Sequence, residues 1–229
     1  THSKLTVHPD KLLNHNYSLN TVDICPVGAL TSTDFRFQMR VWFLKQTPTI
    51  DTNCGHGINT TVWTRGNDIY RVTPRQNNAV NSCWMPDNYR LSFKKFKEEL
   101  RLLEPSHKVT EAHQPIHWTK AFASINEQLG SANSENTALI VSASLTNEEL
   151  YLAKILAEKL DIKILASVEH KQEEDNLLIS SDANPNTLGL QLIFKLKTLY
   201  KKLGSIKTGI KSGAIKNLIV LGEDLTTIR

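Results

Sequence analysis

With 229 residues and 40% hydrophobic side chains, the chain is long enough for one large or two small cored domains. Its longest apolar runs, at 139–143 and 218–221, are strand-sized and far below the roughly 18 residues of a membrane span, which argues against a membrane-embedded role. The net charge of +4 is mild, and no nucleic-acid-binding module is recognisable; the basic clusters at 90–101 and 195–216 read as solvated helix faces or as docking points for an acidic partner.

The three cysteines, Cys25, Cys54 and Cys83, cannot form a fully paired disulfide framework. The opening THSKLTVHPD is polar, lacks an apolar signal region and lacks an initiator Met. The expectation is a soluble chain of a reducing, cytosolic compartment, and a fragment or processed product.

Residues 1–22 are rich in turn formers and read as an extended arm over a partner surface or another domain. FRFQMRVWFLK alternates Phe35, Phe37, Met39, Val41 and Phe43 with polar or basic residues, which predicts a half-buried strand. From 48 to 87 the segments are short and β-like; TTVWTRG and DIYRVTPR flank the turn Gly66-Asn67-Asp68. Phe93, Phe96, Leu100 and Leu103 predict a basic amphipathic helix over 92–103, stopped at Pro105. A second helix is predicted over 118–129 with Gly130 as its stop, and 131–136 is a linker.

The last hundred residues read as strand 137–143, a helix opened by a Thr146–Glu149 capping box, strand 162–167, helix 187–203 and strand 217–222. That order implies a parallel sheet with right-handed crossovers. The predicted fold class is α/β: a small β-rich domain followed by a partial parallel α/β domain of Rossmann-like type.

Two constellations carry metal chemistry. Cys25-Pro26 matches the way a remote Cys followed by Pro supplies a fourth thiolate to a cluster in bacterial-type ferredoxins; a buried structural cysteine is the other reading. Asp51, Cys54, Ile58 and Pro86 have the spacing of a four-ligand site, with Gly57 before the third position. Of these only Cys54 offers a thiolate, Asp51 is a hard donor for a soft cluster, and Ile58 and Pro86 cannot ligate. Cys54, Cys83 and His56 could make an improvised zinc site, or the loop is packed by Ile58, Trp84 and Met85.

Three further groups are weaker. The Ser144, Thr146, Asn147 loop lies beyond a strand's carboxyl end, where α/β sheets bind ligands, but it has no Gly-rich fingerprint and reads as a cap. His107, His113 and His117 are interrupted by Pro115 and read as loop histidines rather than zinc ligands. No local motif supports a Ser/His/Asp or Cys/His nucleophile.

The stretches DICPVGALTS, FRFQMRVWFLK, TVWTRGNDIYRVTPRQN and VNSCWMPDNYR together resemble the large iron–sulfur subunit of the NADH:quinone oxidoreductases, respiratory complex I. That family is similar in turn to molybdopterin-containing formate dehydrogenases. The likeness is strong over 23–90 and looser through SASLTNEELYLAKILAEKL, NPNTLG and LIVLGEDL.

The resemblance implies that Cys25 completes a 4Fe–4S cluster whose other three cysteines lie upstream, in a His/Cys ferredoxin-like domain. It places Asp51, Cys54, Ile58 and Pro86 at four cysteines that bind an additional 4Fe–4S cluster in some bacterial members and are absent from mitochondrial ones, so no cluster is expected there. It implies four regions: the arm and end of the ferredoxin-like domain (1–45), a degenerate 4Fe–4S β domain (46–90), a helical connector (91–136) and a truncated molybdopterin-oxidoreductase-type α/β domain without pterin (137–229).

The implied role is electron transfer from NADH and flavin towards quinone, as a subunit not catalytic alone. Implied partners are the flavin/NADH subunit, the quinone-site subunits and an N-terminal ferredoxin-like portion. The implied place is peripheral, on the cytoplasmic side of the inner membrane or the mitochondrial matrix side. A subunit of an NAD-reducing hydrogenase or formate dehydrogenase, and a metal-free assembly module, are the alternatives.

Overall fold

The computed structural model describes residues 6–97, 101–109, 112–195 and 203–227. The chain divides into two compact units, one made of 1–98 with 172–181 and the other of 99–171 with 182–229. The architecture is mixed α/β, with a small antiparallel sheet in the first unit and a parallel sheet in the second.

The first unit is built on strands β1 (Lys45–Ile50), β2 (Asn59–Arg65) and β3 (Asp68–Pro74), antiparallel in that order. The tight β2–β3 connection follows from Gly66, whose φ of 58° only glycine adopts without strain. Val62 then pairs with Val72 across the hairpin, and Val72 enters the core.

The segment FRFQMRVWFLK departs from expectation. It forms no strand: Phe37 sits at φ 63°, 92% exposed, and Val41–Phe43 make a single 3-10 turn. The alternation has another use here. Arg36 stacks 4.7 Å over Phe37, Arg40 5.7 Å over Trp42 and Arg65 5.4 Å over Phe43, so each ring has a guanidinium against one face while remaining exposed.

The expected arm is also corrected. Residues 6–15 are exposed, but the chain then turns into the short helix α1 (Asn20–Asp23) and packs on its own unit. The side chain of Asn20 donates to the Met85 carbonyl at 2.8 Å and accepts from the Met85 N–H at 3.0 Å, and the Asp87 N–H donates to the Asn16 carbonyl at 2.6 Å. A buried amide that satisfies both faces of a backbone peptide is a directional tie, which is what holds this turn-rich stretch in place.

Helix α2 (Asp87–Arg90) is followed by a 3-10 turn, Ser92–Lys97, in place of the predicted helix over 92–103. Residues 98–100 lie outside the described residues, and 101–103 have no regular structure. Among the described residues of the predicted stripe, Phe93 is buried while Phe96 and Leu103 are exposed: helical spacing without a surface to bury it does not hold a helix. The core of this unit consists of Cys54, Ile58, Val72, Met85, Tyr89, Phe93 and Leu178.

The second unit opens with a hairpin of β4 (Ser106–Val109) and β5 (Ala112–Pro115), then α3 (Trp118–Leu129) capped by the His117 side chain, which accepts from the Thr119 N–H. Its parallel sheet has the order β7 (Ile164–Ala166), β6 (Thr137–Val141), β8 (Asn217–Leu221). Every residue of β6 is buried, as expected for a central parallel strand covered on both faces.

Helix α4 (Asn147–Lys159) starts at the expected capping box: Glu149 N–H donates to Thr146 Oγ1 at 3.2 Å and Thr146 N–H to Glu149 Oε2 at 2.8 Å. The predicted helix over 187–203 is shorter than expected. α5 (Thr187–Phe194) stops at Lys195, whose φ of 53° is left-handed; residues 196–202 lie outside the described residues, and α6 (Leu203–Lys211) follows.

Candidate metal centre

Cys25 stands just beyond α1, half-buried, at the mouth of the loop Pro26–Val27–Gly28–Ala29–Leu30. Gly28 at φ 66° turns this loop, a backbone conformation that favours glycine. Hydrogen bonding from Leu30 N–H, then from Val27, Ala29 and Gly28, lowers the thiol pKa. Such a cradle stabilises a thiolate, the form in which cysteine binds iron.

Beside the loop lies a cavity of about 470 Å³, lined among others by Cys25, Leu30, Phe35, Trp63, Arg71 and Arg90. Arg90 is buried, with Nη1 2.6 Å from Asp23 Oδ2 and Nη2 donating to Asn20 Oδ1 at 3.2 Å. Asp23 is raised by burial, against the pull of Arg90 and Arg71. Arg71 lies between two rings, 4.1 Å from Trp63 and 4.7 Å from Phe35, and its Nε is buried without a hydrogen-bond partner.

The second constellation has a different character. Cys54 is 1% exposed and Ile58 0%, and Met85 and Pro86 are fully buried with them. Cys54 Sγ lies 3.8 Å from the Leu178 carbonyl oxygen. Asp51 closes the loop from its outer side: its N–H donates to the Ile58 carbonyl at 2.7 Å, and its carboxylate accepts the Asn53 N–H at 3.0 Å and Asn53 Nδ2 at 2.6 Å. Burial raises the Asp51 carboxyl. The loop at 51–58 turns at Gly57 (φ 67°), and Cys54 and Ile58 pack into the core with Met85.

Residues 44–94 match the family model described as the NADH-ubiquinone oxidoreductase NDSU1/NuoG-like 4Fe-4S domain, and residues 1–31 match that of the NADH-quinone oxidoreductase subunit 3 ferredoxin-like domain. Among curated relatives, the G-type chain of the Rickettsia prowazekii NADH-quinone oxidoreductase is 33% identical over 159 residues, covering 69% of this chain and 23% of its own. The NADH-ubiquinone oxidoreductase 75 kDa subunit of Reclinomonas americana is 30% identical over 204 residues, covering 85% of this chain and 29% of its own. The mitochondrial 78 kDa subunit of Candida albicans is 36% identical over 153 residues, covering 66% and 21%. The chain belongs to this complex I iron–sulfur subunit family. It spans between about a fifth and three-tenths of the length of these relatives.

For a member of the complex I iron–sulfur family, the two constellations differ in fitness for a cluster. The Cys25 loop fits: it offers a half-buried sulfur donor whose thiol pKa is lowered by the backbone N–H groups of its own loop. The set Asp51, Cys54, Ile58 and Pro86 does not fit, because Ile58 and Pro86 fill buried positions with hydrocarbon and the Cys54 sulfur faces a carbonyl oxygen. Nor are Cys54, Cys83 and His56 brought together: Cys54 is buried while Cys83 is exposed, and among the described residues no three His, Cys, Asp or Glu side chains are grouped to hold a metal ion.

His107 and His113 lie on β4 and β5 but face Gln114 and Lys108 across the pair, and His117 serves as the α3 cap. Thr146 is a capping residue, with Asn147 beginning its helix and Ser144 N–H donating to Ser142 Oγ at 3.1 Å. Sequence reasoning missed Arg71, Arg90 and Asp23, for an isolated Arg or Asp in a strand or short helix carries no sign that it will be buried. It also missed residues 172–181, whose Leu178 reaches the loop core.

Proposed function

We propose that this chain supplies one thiolate, Cys25, to a 4Fe–4S cluster of an electron-transfer subunit of NADH:quinone oxidoreductase. The single observation carrying the reading is the Cys25-Pro26 loop itself, turned at Gly28 (φ 66°) within the residues 1–31 that match the ferredoxin-like family model. When bound, the cluster would accept and pass on single electrons between a flavin and a quinone site. The Cys25 loop would orient one ligand and, through its N–H donors, offset the negative charge on that sulfur.

The rest of the chain serves as scaffold in this reading. The degenerate loop of Asp51, Cys54, Ile58 and Pro86 is metal-free, and the parallel unit is a Rossmann-like, molybdopterin-oxidoreductase-type portion without pterin. Partners are other peripheral-arm subunits, including those holding flavin and quinone. In this reading the chain is peripheral, on the matrix or cytoplasmic side; among the described residues no helix is long and apolar enough to cross a membrane.

The test is Cys25→Ala in the assembled complex, read by low-temperature electron paramagnetic resonance during a redox titration. Loss or conversion of one 4Fe–4S signal with the others intact is expected. Retention of every cluster signal would overturn the assignment and favour a metal-free assembly role.

A further inference from the structure

Arg71 is an unusual residue for a small β unit. Its guanidinium is partly buried between the Trp63 and Phe35 rings, its Nε has no hydrogen-bond partner, and among the described residues it makes no ion pair within 4 Å. Arg90, by contrast, is tied to Asp23 at 2.6 Å and lies 3.9 Å from Asp87, and Lys94 is paired with Asp34. Taking a cation out of water costs free energy unless an anion faces it, and ring stacking recovers only part of that. Asp23, the nearest carboxylate in this group, already has Arg90 at contact distance, so Arg71 holds its charge with no anion of its own in contact.

The free side of Arg71 is the cavity it lines with Cys25. A space of 470 Å³ is about 10 Å across, within the range over which partly buried charges act on each other. The apolar part of the wall includes Leu19, Val22, Leu30, Val41 and Phe93; its two carboxylates, Asp23 and Asp34, are paired with Arg90 and Lys94.

We infer that Arg71 is a potential-setting residue: its positive charge, lining the same cavity as Cys25, favours the reduced form of the cluster that Cys25 would bind. The inference rests on the Cys25 reading above. Reduction adds one electron, and thus one negative charge, to the cluster and its thiolates, with no bond made or broken. A neighbouring cation stabilises the more negative state and so raises the midpoint potential. The two rings serve to position the guanidinium, because stacking fixes its plane without neutralising it.

The experiment is a dithionite titration of the assembled complex carrying Arg71→Gln or Arg71→Lys, followed by electron paramagnetic resonance, beside the Cys25→Ala variant. Arg71→Gln should shift one cluster to a more negative midpoint with its line shape and content retained, and that cluster should be the one lost in Cys25→Ala. Arg71→Lys, which keeps the charge, should restore most of the native potential. An unshifted midpoint in Arg71→Gln, or equal shifts in both Arg71 variants, would overturn the inference and leave the Cys25 assignment standing. Retention of all signals in Cys25→Ala would instead overturn the reading beneath it. If Arg71→Gln prevents assembly, the Arg71→Lys and Arg71→Met pair is titrated in its place, with the same shift expected only in Arg71→Met.

Discussion

The sulfur of Cys54 lies 3.8 Å from the carbonyl oxygen of Leu178, 124 positions further along the chain. This thiol is turned towards a backbone acceptor and packed with Ile58, Met85, Tyr89 and the Leu178 side chain. A cysteine so placed behaves as a small hydrophobe with a weak donor. The packing of this loop therefore depends on a distant segment.

Truncating that segment should be costly. Leu178→Ala removes a buried side chain from the loop core, and a loss of about 2–4 kcal/mol is expected for such a cavity. The neighbouring exposed Leu177→Ala should stay within about 0.5 kcal/mol of the native chain. Urea denaturation followed by tryptophan fluorescence compares the two, with Trp63 and Trp84 as reporters. Equal effects would count against the role given to Leu178.

Asp175 gives the same segment an acid limit. Burial pushes its carboxyl up, but hydrogen bonds from the Tyr17 hydroxyl and from the Ile179, Leu177 and Leu178 N–H groups outweigh this and hold it below 3.8. A depressed carboxylate adds stability that is present above the unfolded pKa and is lost as pH falls through the folded one. The native chain should thus lose this contribution only below about pH 4, whereas Asp175→Asn should already lack it at pH 7. Because the carboxylate is largely exposed, the difference should be about 1 kcal/mol. Melting curves from pH 3 to 7 for both chains test it, and parallel curves would refute it.

Arg90 should tolerate no neutral replacement. Arg90→Met leaves Asp23 facing an apolar side chain and removes the donor to Asn20, and breaking a buried pair by deleting one partner typically costs about 3–5 kcal/mol. Burial already raises Asp23, so the cost should shrink at low pH, where that carboxyl takes up a proton. A difference between the variants that does not narrow towards pH 4 in thermal melts would count against this account.

Thr146→Ala should weaken the start of α4 by about 1 kcal/mol, because both arms of the capping box pass through residues 146 and 149. Amide exchange in the first turn of α4 is the direct readout, and protection equal to that of the native chain would contradict it.

Local chemistry made part of this fold legible. Gly66 between two alternating runs announced the β2–β3 hairpin, Thr146 and Glu149 the start of α4, and the run at 137–141 a fully buried strand. Long-range packing hid the rest. Phe35, Phe37, Met39, Val41 and Phe43 have the spacing of a strand, yet the backbone turns at Phe37, and Arg36, Arg40 and Arg65 lie against Phe37, Trp42 and Phe43. The β4–β5 hairpin was concealed by its polar residues, all exposed in β5. At the candidate metal centre, residue identity alone distinguished the sulfur donors Cys25 and Cys54 from Ile58 and Pro86, which carry no donor atom. The cavity and the stacked Arg71 were not, since both depend on elements that meet only in the folded chain.

The insertion of residues 172–181 into the first unit also sets an order of events on the ribosome. Ile58, Met85 and Tyr89 are synthesised long before Leu178 and wait with one side of their core open until it emerges. Any expression boundary drawn near residue 98 would leave that side open for good. A soluble recombinant form of the first unit should require the 172–181 stretch, fused through a short linker or supplied as a peptide.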